Sequence, residues 1–73
     1  MEKSKKIELL AEILDVDPVE VEEDKDLAEV GDWDSFAILS FIAMMDEEFG
    51  KEVGGAIVKN LVKVSDAIAL MEE

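Results

Sequence analysis

The chain has 73 residues, no cysteine and no histidine, 20 acidic residues against 7 basic ones, and a formal net charge of −13 at pH 7. These figures exclude disulfides, thiolate metal sites, cysteine nucleophiles and Ser-His triads. They also make nucleic acid and anionic lipid poor partners, because phosphate backbones and headgroups need Lys and Arg. A domain this small buries only about 60% of its unfolded surface, so one thin core is expected and no deep catalytic cavity.

Hydrophobic residues make up 49% of the chain, enough to support folding beside 37% charged residues. No apolar run reaches the roughly 18 residues of a membrane span, and no secretory apolar stretch follows the basic start Met1 to Lys6. The reading is a single domain over residues 1–73, a cytoplasmic monomer. The charge is uneven. Thirteen acids fall between Asp15 and Phe49, where Lys25 is the lone base. Such a surface steers a basic protein partner; the plainer alternative is that it keeps the chain soluble.

In chain order, a first helix is predicted over Glu2 to Leu14, because Ile7, Leu10, Ala11 and Leu14 recur at helical spacing. Asp17-Pro18 reads as an N-cap with proline at the first helical position, followed by one short turn. Glu23 to Trp33 is charged and irregular and reads as a loop, pinned by Leu27 and Val30. The second helix is predicted from Ser35 to Phe49, with Asp34 as N-cap and Gly50 just past its end. At about 100° per residue, Ile38, Phe41, Ile42, Met45 and Phe49 form its core face. Phe36, Ala37, Ser40, Ala43, Met44, Glu47 and Glu48 lie opposite, with Leu39 at the boundary. Lys51 to Gly55 is a connector, Ala56 to Leu61 a short third helix, and the last helix starts with Ser65 as N-cap and Asp66 in its first turn. The fold class is all-α: a small bundle of three main helices plus a short one. Ser35 then lies at the mouth of the second helix, where unpaired N–H groups and the helix dipole favour a phosphate.

Taken together these segments resemble the acyl carrier protein family over nearly the whole chain. The resemblance rests on Leu14-Asp15-Val16-Asp17-Pro18-Val19-Glu20, on the acidic loop with Asp26-Leu27, and on Asp34-Ser35-Phe36. It continues in Met45-Asp46-Glu47-Glu48-Phe49-Gly50 and in Lys63-Val64-Ser65-Asp66-Ala67-Ile68. It implies that Ser35 is esterified by 4′-phosphopantetheine, donated by coenzyme A through a phosphopantetheinyl transferase and magnesium. The arm's thiol then holds an acyl or aminoacyl thioester for enzymes of fatty-acid, polyketide or other specialised biosynthesis. Such a carrier is not an enzyme and has no catalytic residues. Asp34 is a motif residue and N-cap, with a part in bringing magnesium to the transferase as the further role the resemblance allows.

The chain departs from the family's common motif, Gly-x-Asp-Ser followed by Leu or Met. Gly31 is one residue further from the serine, Trp33 precedes Asp34, and Phe36 replaces the aliphatic residue. Trp33 reads as a core anchor for the loop, or as a contact with the transferase or the arm. Phe36 to Met45 carries no charge, and an apolar patch beside a reactive site suggests a binding surface. Phe36, Leu39, Ala43, Met44, Glu47 and Glu48 are therefore the expected contacts for acyl-loading and acyl-transfer enzymes with basic or apolar docking surfaces. The alternative is that the short third helix covers part of this patch.

No metal site is expected. Asp32-Trp33-Asp34 begins like an EF-hand loop, but Phe36 replaces the third oxygen ligand, the sixth position is Ala37 and the twelfth is Ala43. The competing function is an acidic helical adaptor that is never modified. Clustered acids repel one another. Salt on the order of 0.1 M, where the Debye length is about 10 Å, should therefore raise the Tm, and magnesium should do so at lower concentration. A flat response in thermal scans would mean that the acids are already well spaced or paired.

Overall fold

The computed structural model describes residues 2–71. Helix α1 spans Lys3–Leu14, one residue inside the predicted start, with Glu2 at the N-cap accepting from the Lys5 and Lys6 N–H groups. Its stripe buries Leu10, Ala11 and Leu14, and Ile7 packs at the edge. The helix stops at Asp15, which takes the left-handed conformation (φ 57°, ψ 48°). The Asp15 N–H donates to the Glu12 carbonyl (3.3 Å) and the Val16 N–H to that of Ala11 (3.0 Å). Both carbonyls are thereby satisfied in a Schellman arrangement.

A 3-10 turn, Pro18–Glu20, follows. Proline sits at its first position, and the Asp17 N–H donates back to Glu20 Oε2 (3.0 Å). The next segment corrects the sequence reading. Glu23 to Trp33 is not wholly a loop, because Leu27–Val30 forms a short helix, α2. Four residues are too few to show a period. The turn holds because the Asp26 N–H donates to Glu29 Oε1 (3.2 Å) and because Leu27 is buried. The segment is also clamped across the chain. The Leu27 N–H donates to Val62 (2.8 Å), the Val64 N–H to Lys25 (3.0 Å) and the Ser65 N–H to Glu23 (3.2 Å).

Helix α3 runs Ser35–Phe49, as predicted. Gly50 ends it with φ 63°, a conformation in which glycine has no Cβ penalty. Helix α4 is Gly55–Lys59, shorter and earlier than the predicted Ala56 to Leu61. Helix α5 is Val64–Leu70. Its N-cap is Lys63 and not Ser65, because the Asp66 carboxylate reaches back to the Lys63 N–H (3.1 Å) and draws the first turn two residues earlier. The all-α reading holds: three longer helices, α1, α3 and α5, with two short ones between them.

Helix α1 packs on α3 and on α5, and α3 packs on α4. Phe41, Met45, Leu10, Val58, Val64, Ala67 and Met71 meet in the fully enclosed centre. Ala37 and Met44 are buried too, although the helical wheel put them on the outer face. With α1 on one flank and α4 on another, the covered arc of α3 is wider than one stripe. Gly31 is the close-packed position of the loop. A Cβ there would stand 3.1 Å from both the Leu14 Cβ and the Leu14 carbonyl oxygen.

A left-handed residue with a side chain costs roughly 1–2 kcal/mol, and Asp15 places a negative charge at the negative end of a helix. Asp15→Gly should raise stability by about 1 kcal/mol, which in a domain this small is a Tm rise of about 4–8 °C. Asp15→Val should lower it. Urea denaturation followed by circular dichroism tests both, and a destabilised glycine variant would contradict the strain argument.

Candidate functional site

The residues around Ser35 are placed by the loop that delivers them. Trp33 is its anchor, half-buried, with its Nε1–H donating to the Val58 carbonyl at 3.3 Å. The indole meets Phe41 edge to face, with ring centroids 5.8 Å apart at 72°. The geometry therefore supplies the core-anchor reading of Trp33. Asp34 is extended and caps α3, its Oδ1 accepting from the Ala37 N–H at 3.0 Å. The carboxylate is thus turned into the helix mouth, where it satisfies one of the free N–H groups.

Ser35 is the first residue of α3 and is exposed. Among the described residues no acceptor meets the N–H groups of Ser35 and Phe36. The first turn therefore presents a hydroxyl, two open donors and the positive end of a 15-residue helix. The chain has four serines and no threonine or tyrosine. Ser4 is exposed near the start of α1, while Ser40 and Ser65 are partly covered.

Of the residues expected to face partners, Phe36 and Leu39 are 76% and 65% exposed, and Ala43, Glu47 and Glu48 are exposed as well. Met44 departs from that expectation. It is only 8% exposed and packs into the core. The structure brings Phe36, Ser40, Ala43, Met44, Glu47 and Glu48 together along a groove, closed on its far side by Leu9, Glu12 and Ile13 of α1. The groove encloses about 420 Å³. Leu39 lies outside it. The α1 wall was not singled out from sequence, although Leu9 and Ile13 sit four residues apart, off the main stripe, and so signalled a second apolar edge.

Among the described residues three acids of the loop segment pair with lysines. The loop's own cation, Lys25, pairs with Glu22 at 2.9 Å. The hydrogen bond and charge of Glu22 hold that ammonium above the ordinary lysine value. Lys3 pairs with Glu23, and Lys63 lies 3.7 Å from Asp26. These pairs are exposed and contribute little stability; their effect is to tie the loop to α1 and to the segment before α5.

A family model described as phosphopantetheine attachment site matches residues 7–71. The chain belongs to this family, that of the acyl carrier proteins. No curated protein and no solved structure matches it. As a member, this carrier uses covalently attached 4′-phosphopantetheine, works with a phosphopantetheinyl transferase and biosynthetic enzymes, and belongs to a class of domain that is not itself catalytic. Among the described residues no helix is long and apolar enough to cross a membrane. The carrier's exposed first turn on α3 fits such a group. It offers a hydroxyl for a phosphodiester and open N–H donors for its charge.

If the indole ties the loop to α4, removing its hydrogen bond should loosen that tie. Trp33→Phe keeps an aromatic ring against Phe41 and should cost about 1 kcal/mol in urea denaturation followed by circular dichroism; Trp33→Ala should cost more. Equal stability of the phenylalanine variant would show that the Val58 bond holds nothing in place.

Proposed function

We propose that Ser35 is the attachment point of the 4′-phosphopantetheine arm, and that the carrier presents acyl or aminoacyl thioesters to enzymes of fatty-acid, polyketide or other specialised biosynthesis. The observation that carries the assignment is an elimination. Residues 7–71 match the family, and of the serines inside that span only Ser35 is exposed. The arm, when attached, supplies the thiol that holds the cargo, which a chain without cysteine does not have.

The chain's own residues do the positioning. Gly31 lets the loop lie against Leu14, Trp33 pins it to α4, and Asp34 starts α3 with Ser35 exposed at its first position. The open N–H groups of the first turn favour a phosphodiester charge there. They offset the nearby carboxylates of Asp32 and Asp34. Phe36 and Leu39, exposed next to the serine, with Ala43, Glu47 and Glu48 further along α3, are the surface that partner enzymes read. Acids in the loop and at the end of α3 steer the encounter with basic partners. The reading places the protein in the cytoplasm as a monomer.

Incubation with coenzyme A, magnesium and a broad-specificity phosphopantetheinyl transferase should add the mass of one phosphopantetheine to the parent and none to Ser35→Ala. No gain in a folded parent would favour the unmodified adaptor. Phe36→Glu should slow cargo transfer at least about tenfold, roughly 1.4 kcal/mol in the barrier, while leaving the circular dichroism spectrum unchanged. Unchanged transfer kinetics would remove Phe36 from the partner surface.

A further inference from the structure

The chain has no cysteine, so all its sulfur is in four methionines, Met1, Met44, Met45 and Met71. The fold treats the described ones differently. Met45 and Met71 are sealed in the core with no exposure, whereas Met44 is 8% exposed and lines the groove between α1 and α3. That groove encloses about 420 Å³, against about 30 Å³ for a water molecule's share of the liquid. A small molecule therefore reaches the Met44 side chain without unfolding of the chain. The carboxylates at the groove, Glu12, Glu47 and Glu48, do not oppose a neutral one. Met44 also belongs to the core cluster, and Leu9 and Ile13 of α1 pack against that cluster. The same side chain is thus open to a small reagent and part of what joins α1 to α3.

We propose that Met44 is a reversible oxidation site, at which a peroxide converts the thioether to a sulfoxide and loosens the seam between α1 and α3. In this step a sulfur lone pair attacks one peroxide oxygen, the O–O bond breaks and an S–O bond forms. The other oxygen leaves as hydroxide and takes up the proton, so water is the second product. Sulfur loses two electrons and the peroxide gains two. The product side chain is polar, where the thioether was apolar. Its new oxygen needs a donor, and the groove offers little. Leu9, Ile13, Phe36 and Ala43 are apolar and ionised carboxylates only accept, which leaves the Ser40 hydroxyl as the side-chain donor of the lining. The folded state loses stability either by keeping the oxygen unpaired or by turning it out to solvent and leaving a void behind. A sulfoxide is reduced back enzymatically, with a dithiol as the electron donor, so the change is a switch and not only damage. The proposal does not depend on Ser35 being modified.

The test uses the full chain without the arm, so that no other sulfur consumes the reagent. The probe is hydrogen peroxide, applied below the melting temperature, with each sulfoxide assigned by peptide mass and fragmentation, which resolves Met44 from Met45. Met44 should oxidise at least about tenfold faster than Met45 and Met71, as expected when thioether oxidation follows exposure. Protein carrying one oxygen at Met44 should melt lower, by about 4–8 °C for a domain of this size. Its amide shifts should change at residues 9–13 and 36–48. A pair of methionine sulfoxide reductases with dithiothreitol should restore both the parent mass and the parent Tm. Met44→Leu keeps the volume and removes the sulfur, a swap that cores tolerate; its Tm should be unmoved by the same peroxide exposure. The proposal is overturned by equal oxidation of the three methionines, which would report global unfolding, by prior oxidation of Met45 or Met71, by a Met44 sulfoxide that melts as the parent does, or by failure of the reductases to reverse it. Loading of Ser35 with phosphopantetheine is scored separately by mass, so failure of the carrier reading and failure of the oxidation site give different results.

Discussion

The contact of Trp33 with α3 and α4 is the constraint on which the site depends. The loop entering α3 is short, charged and without a stripe of its own, so nothing local decides where Ser35 comes to rest. The indole does so by meeting Phe41 at the centre of the core and by donating to the Val58 carbonyl of α4. Two residues later the backbone turns into a helix whose start is set by the Asp34 cap. A half-buried aromatic and a capping carboxylate thus hold a serine at the surface, with the core behind it and solvent in front.

Charge is distributed so that folding and encounter do not compete at the same residues. The core contains no buried polar or charged residue among the described ones. Most acids sit on loops and near helix ends, where several work locally. Glu20, Glu29 and Asp66 each accept from a backbone N–H three residues earlier, at the start of a helix or turn. These bonds satisfy N–H groups that the start of the element would otherwise leave open, and their charge suits a helix N-terminus. The remaining carboxylates are free to act at a distance, which is what a carrier visiting several enzymes in turn requires.

Helix α3 was legible from sequence because all its signals agree: an Asp cap, fifteen residues with an apolar period, and a glycine at the end. The short elements were not. Leu27–Val30 is a helix because Leu27 is buried and the Leu27 N–H meets Val62 across the chain, and neither contact leaves a period in four residues. The cap of α5 is Lys63 and not Ser65, two residues earlier, because the Asp66 carboxylate reaches the Lys63 N–H. Met44 was read as an outer contact because a wheel counts one buried stripe, whereas α1 and α4 cover two flanks of α3.

The sequence by itself determined the helical class, the absence of thiol and histidine chemistry, and the position of Ser35 at a helix start, since composition, caps and period are local properties. It also carried the family pattern. Only the tertiary structure decided which of the four serines are open to solvent, that Trp33 is an anchor, and that α1 turns one face of α3 into a groove. Each of these depends on what another segment, distant in the chain, brings to within a few ångströms, and no local pattern encodes that neighbour.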